Sequence, residues 1–126
     1  FDQVLTQYKE PSEIFIPLKD EKGQLRITIR LLDLLYMESN DNYVNIHYLD
    51  KEKAKVFMIR NSLKNFENEL KDYPIYRNHR KFAINIKNVK MLKRAKSGYE
   101  LIINNEPETH IPVSRSYEKQ IIDLMK

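Results

Sequence analysis

Short segments of alternating apolar and polar residues, separated by turn residues, recur along most of this chain and restrict it to a sheet-based fold. Leu25, Ile27 and Ile29 alternate with Arg26, Thr28 and Arg30, the period of a strand with one wet face. Asp20-Glu21-Lys22-Gly23 separates this run from Ile14–Leu18. Gly23 can take the positive φ of a tight turn, so the two runs read as a hairpin. The nearly continuous apolar run Leu31–Met37 leads through Glu38-Ser39-Asn40-Asp41 into the alternating Asn42–Leu49, and Asp50-Lys51-Glu52-Lys53 turns the chain into Ala54–Ile59.

The period then changes. Leu63, Phe66 and Leu70 are spaced as on a short amphipathic helix, with Asn61 or Ser62 as N-cap and Pro74 closing the segment. The β pattern resumes over Tyr76–Ile86, Val89–Ala95, Gly98–Asn104 and Thr109–Val113, and Ser116–Lys126 carries a second helical pattern with a Ser cap. The expected fold is mostly β, an elongated antiparallel sheet arrangement with a short helix between strands and a C-terminal helix. No helix pair of the helix-turn-helix kind is available, so any reading of DNA must use loops and strand ends.

At 126 residues the chain suits one domain, expected over 14–126. Residues 1–13, polar and broken by Pro11, read as a linker or frayed start. The chain begins with Phe1 and shows no signal-peptide pattern, so a fragment of a longer, cytoplasmic protein is expected. No apolar run approaches the ~20 residues of a membrane span. The net charge of +4 is unevenly placed: residues 1–75 are slightly acidic, whereas residues 76–126 hold 11 Lys/Arg against 5 Asp/Glu. A basic half on a near-neutral body suits a surface that faces a polyanion.

Tyr76–Asn85 (YRNHRKFAIN) concentrates this charge. Arg77, Asn78, His79, Arg80 and Lys81 form a dense array of donors beside Phe82, Ala83 and Ile84. Arg can fork onto guanine, Asn can pair with adenine, and either can hold a phosphate. Catalysis finds little support. Cysteine is absent, and His47, His79 and His110 lack zinc-site spacing. Gly23 and Gly98 lie in turns, and Ser114 and Ser116 have no nucleophile-elbow context. No enzymatic activity, metal or cofactor is expected.

The same run resembles the central signature of LytTR-type DNA-binding domains of bacterial transcription regulators, with departures at Lys81 and Phe82, where that family more often has Ser and Tyr. Three further strings, within Ile29–Met125, agree in order: Met37-Glu38-Ser39-Asn40-Asp41-Asn42-Tyr43-Val44, Arg60-Asn61-Ser62-Leu63, and Ile111-Pro112-Val113-Ser114-Arg115-Ser116-Tyr117. The resemblance implies sequence-specific binding of double-stranded DNA, at promoter direct repeats, by the output domain of a two-component response regulator. It implies an upstream receiver or sensor domain and a homodimer on DNA. It also implies base contacts from Arg80, Arg115 and Asn42. Asn40, Tyr43, Arg77, Asn78, His79, Lys81, Ser114 and Ser116 would serve as loop or phosphate contacts, with Arg77, His79 and Lys81 bracing the loop or holding phosphate.

Two rival readings remain open at this stage. One is a β-rich protein-interaction module whose basic half meets an acidic partner. The other is single-stranded nucleic acid stacked on Tyr43, Tyr48 and Phe57, which would need these rings exposed.

Overall fold

The computed structural model describes Glu10 and residues 13–126. Apart from Glu10 and Glu13, the linker expected over 1–13 lies outside the described residues. Strands β1 (Phe15–Lys19) and β2 (Leu25–Arg30) pair as a ribbon. A five-stranded sheet in the order β5-β4-β3-β7-β6 combines β3 (Leu34–Asn40), β4 (Tyr43–Asp50), β5 (Lys53–Arg60), β6 (Ile75–His79) and β7 (Phe82–Asn85). A third sheet, in the order β10-β9-β8, combines β8 (Val89–Ala95), β9 (Gly98–Ile103) and β10 (Thr109–Val113). All pairings are antiparallel. Helix α1 (Leu63–Glu69) follows β5, and α2 (Arg115–Leu124) follows β10.

The central sheet is covered on both faces. Ile16, Leu18 and Ile29 of the ribbon and Leu63, Phe66 and Leu70 around α1 pack with Met37, Val44, Ile46 and Ile59. A second cluster joins Leu35 and Ile84 to Leu101, Ile103, Ile111, Val113 and Ile121. β3 contributes to both clusters, which explains the apolar run Leu34–Met37 in its first half: a segment buried on both faces cannot alternate. Ser62 caps α1, its Oγ accepting the Asn65 N–H at 3.1 Å.

Two segments differ from the sequence pattern. Leu31–Asp33 is a single 3-10 turn rather than the start of a strand. Buried asparagines hold it there. The Asn85 amide donates to the carbonyls of Leu31 (2.8 Å) and Leu34 (2.7 Å), and the Asn88 amide to those of Leu32 (2.9 Å) and Leu34 (2.7 Å). The second difference is Tyr76–Ile86, which is two strands joined by a turn at Arg80-Lys81. Hairpin β6–β7 thereby becomes the centre of the site.

Candidate nucleic-acid interface

Strand register gathers the motif residues at one end of the central sheet. Asn40 faces Tyr43 across the β3–β4 turn, Tyr43 faces Arg60 of β5, Glu38 faces Phe82, and Phe82 faces His79. Ser39 N–H donates to the Lys81 carbonyl at 2.9 Å, locking the β3–β4 and β6–β7 turns side by side. In the first turn Asp41 takes a left-handed φ of 55°, a conformation that Asp and Asn tolerate better than other side chains. Asn40, Asn42 and Tyr43 are exposed there, and the Asn42 carbonyl is tied down by Asn61 N–H at 3.2 Å.

The β6–β7 turn contains neither glycine nor proline and is shaped by side chains. Arg77 donates from Nε to the His79 carbonyl (3.2 Å) and from Nη2 to the Arg80 carbonyl (2.8 Å). Its Nη1 lies 3.5 Å from Glu67 Oε1, and its guanidinium stands 5.9 Å from the Tyr117 ring centroid. With its side chain only 13% exposed, Arg77 braces the hairpin from within. His79 Nδ1 pairs with Lys81 N–H at 3.1 Å, so that nitrogen must be unprotonated. Burial, then the charges of Arg80, Lys81 and Arg77, lower the His79 pKa below its ordinary value. Its neutral ring also meets Phe82 edge-on at 5.6 Å. These contacts leave the Arg80 and Lys81 side chains exposed at the tip.

Asn78 connects this hairpin to the last motif. Its Nδ2 donates to the Pro112 carbonyl at 3.0 Å, and Ser114 N–H donates to the Asn78 carbonyl at 3.0 Å. Asn78 is fully buried, and its amide serves this clasp. The clasp sets the start of α2 beside β6. Ser114, rather than Ser116, occupies the N-cap position, but its Oγ makes no capping bond and is buried without a partner among the described residues. Arg115 and Ser116 project from the first turn, both exposed. Neither Arg80 nor Arg115 enters an ion pair among the described residues.

Arg60 belongs to this end although sequence reasoning gave it no contact role. Its guanidinium lies 5.7 Å from the Tyr43 ring centroid, and its Nε donates to Glu21 Oε1 at 2.8 Å. Its place in the Arg-Asn-Ser-Leu string was the available signal. Tyr48 and Phe57 instead pack against the core, so the row of exposed rings needed for single-strand stacking is not formed. Among the described residues no cluster of His, Cys, Asp or Glu could hold a metal ion, and no helix is long and apolar enough to cross a membrane.

The fold is similar to a solved LytTr DNA-binding domain from a Bacillus cereus response regulator, at a TM-score of 0.61 and 24% identity, covering 87% of this chain and 94% of that one. In sequence the chain is similar to the sensory transduction protein LytT of Oceanobacillus iheyensis, 33% identical over 84 residues. That match takes in 66% of this chain and about a third (33%) of the relative's length. The family model of the LytTr DNA-binding domain matches residues 24–126, which takes in the central sheet, the clasp and α2, and the chain therefore belongs to the LytTr DNA-binding domain family.

Proposed function

We propose that this domain binds double-stranded DNA sequence-specifically, as the output module of a transcriptional regulator. The observation that carries this reading is the convergence at one end of the fold of three motif segments: Asn40–Tyr43, His79–Lys81 and Ser114–Ser116. Their backbones are pinned, while Asn42, Arg80 and Arg115 project freely. A pinned backbone lowers the ordering cost of placing a side chain against a base edge. Arg80, Arg115 and Asn42 are assigned to bases, and Asn40, Tyr43, Lys81 and Ser116 to the flanking backbone.

Spacing supports a duplex as the ligand. Two extended residues span at most ~7 Å and one Cα–Cα step adds ~3.8 Å. A backbone hydrogen bond holds paired Cα atoms ~5.5 Å apart. Through Asn78 and Ser114, the Cα atoms of Arg80 and Arg115 therefore lie within ~17 Å of each other, well inside one ~34 Å duplex turn. Both side chains can thus address one DNA face, with phosphate contacts supplying most of the affinity. Similarity to a sensory transduction protein that this chain only partly spans supports a place in a signalling protein; an upstream receiver or sensor, dimerisation on direct repeats and a cytoplasmic location complete the proposal.

The decisive experiment compares equilibrium binding to one preferred duplex and to shuffled duplexes at fixed salt. A clear preference is the expected result. Equal affinity for all duplexes, or salt-sensitive binding only to an acidic protein, would overturn the proposal in favour of an interaction module.

A further inference from the structure

The β8–β9 turn and the first turns of α2 enclose a cleft of about 460 Å³ lined by Arg94, Lys96, Tyr99, Arg115 and Glu118. The two walls come into ordinary contact range at Gly98. Its φ is +133°, and a Cβ built there would lie 3.9 Å from Glu118 Oε2. Arg94 faces Tyr99 across the ladder, its guanidinium 5.6 Å from the ring centroid.

The cleft concentrates cations that no carboxylate answers. On the same strand, Lys90 is paired with Glu108 at 2.7 Å. Arg94, Lys96 and Arg115 have no carboxylate within ion-pair distance among the described residues. Three cations therefore share one concavity with a single acid, Glu118. Like charges held together repel one another, and an anion in the concavity relieves that repulsion. Arg115 lines the cleft and also projects from the clasp, so whatever fills the cleft sits next to the group assigned to a base.

We propose that this cleft is a phosphate seat for the same duplex, in which Lys96 and Arg94 hold a backbone phosphate flanking the groove entered by Arg115. The inference rests on the duplex-binding reading and adds the β8–β9 hairpin to the interface. Strand alternation supplies an internal control: Arg94 and Lys93 point to opposite faces of β8. A phosphate in the cleft meets the first and not the second.

The test is a salt series from ~50 to 200 mM with preferred and shuffled duplexes, using the whole chain and the variants Lys96→Gln, Arg94→Gln, Lys93→Gln and Glu118→Gln. Each cleft cation lost should make the log–log slope shallower by about 0.9. Both duplexes should weaken by the same factor, leaving the specificity ratio unchanged. Lys93→Gln should keep the wild-type slope, and Glu118→Gln should tighten both duplexes. Wild-type slopes in Lys96→Gln and Arg94→Gln, or an equal change in Lys93→Gln, overturn the phosphate seat while wild-type duplex preference stands. Absence of that preference in the wild type overturns the underlying reading instead, and the seat with it.

Discussion

The side-chain amide of Asn78 donates to the backbone carbonyl of Pro112 at 3.0 Å, in an environment where Asn78 has no exposed surface. With the return bond from Ser114 N–H to the Asn78 carbonyl, it fixes the start of α2 against the β6–β7 hairpin. Two motifs separated by more than thirty residues thereby become one rigid piece. Such a connection matters for recognition because a displacement of about 1 Å in a contacting side chain is enough to lose a well-aligned hydrogen bond.

Replacing Asn78 should therefore affect stability and recognition together. Asn78→Ala removes the buried Nδ2 donor from the Pro112 carbonyl, and losing one such hydrogen bond costs about 0.5–1.5 kcal/mol. Urea unfolding should report that loss. The folded fraction should also show a reduced preference for the cognate duplex, since Arg115 loses its registration with Arg80. Unchanged stability in Asn78→Ala would show that the side-chain half of the clasp contributes nothing.

Arg77 and Arg80 should separate cleanly. Arg77 donates to two carbonyls of its own hairpin, and hydrogen bonds to charged groups are worth about 1.5–3 kcal/mol. Arg77→Ala should destabilise the fold by an amount in that range and loosen binding to all duplexes. Arg80→Ala should leave stability within about 0.5 kcal/mol of wild type, as expected for an exposed residue. The opposite ordering of unfolding midpoints would reverse the two roles.

His79 makes the same turn sensitive to acid. Its pKa is lowered by burial and then by Arg80, Lys81 and Arg77, so folding favours the neutral ring. A depressed value contributes stability above the unfolded pKa of ~6.5 and loses it as pH falls from there through the folded value. The stability advantage of wild type over His79→Ala should be full at neutral pH and shrink on acidification. The difference between the two proteins isolates His79 from His47 and His110, which pair with Glu38 and Glu100. An advantage that grows as pH falls would contradict the assignment of Nδ1 as an acceptor.

The parts legible in the sequence are those governed by period. The alternation of Leu25–Arg30 is found as a strand that buries Ile29 and half-buries Ile27 while Leu25 stays exposed, and the 3–4 spacing of Leu63, Phe66 and Leu70 is found as a buried helix face. The β6–β7 turn was not legible, because Arg77 and His79 side chains, rather than Gly, Pro or Asn-Gly, hold its backbone. The same reason hides the 3-10 turn at Leu31–Asp33, which depends on Asn85 and Asn88 more than fifty residues away. An Asn in a polar string looks alike whether it reaches outward or ties two strands together. Burial separates Asn78 and Asn85, which are covered, from Asn40 and Asn42, which are exposed.

That distinction sharpens the test of base reading at the two flanks of the interface. Asn42 stands on the β3–β4 turn and Arg115 on the first turn of α2, with the Arg80 tip between them in the lateral order of the strands. Both side chains are exposed, so neither is needed for packing, and alanine variants should remain folded by circular dichroism. At fixed salt, Arg115→Ala should lose about 1–3 kcal/mol of discrimination for the cognate duplex and little affinity for shuffled ones, because a bidentate base contact discriminates by that amount. Asn42→Ala should relax preference at a different set of base positions, since it lies on the other side of the Arg80 tip. Systematic single-base substitutions in the duplex would map those positions. Variants that keep the wild-type preference at every base would show that these flanks hold the backbone and that sequence is read elsewhere; variants that relax it at the same bases would overturn the separate placement of the two flanks.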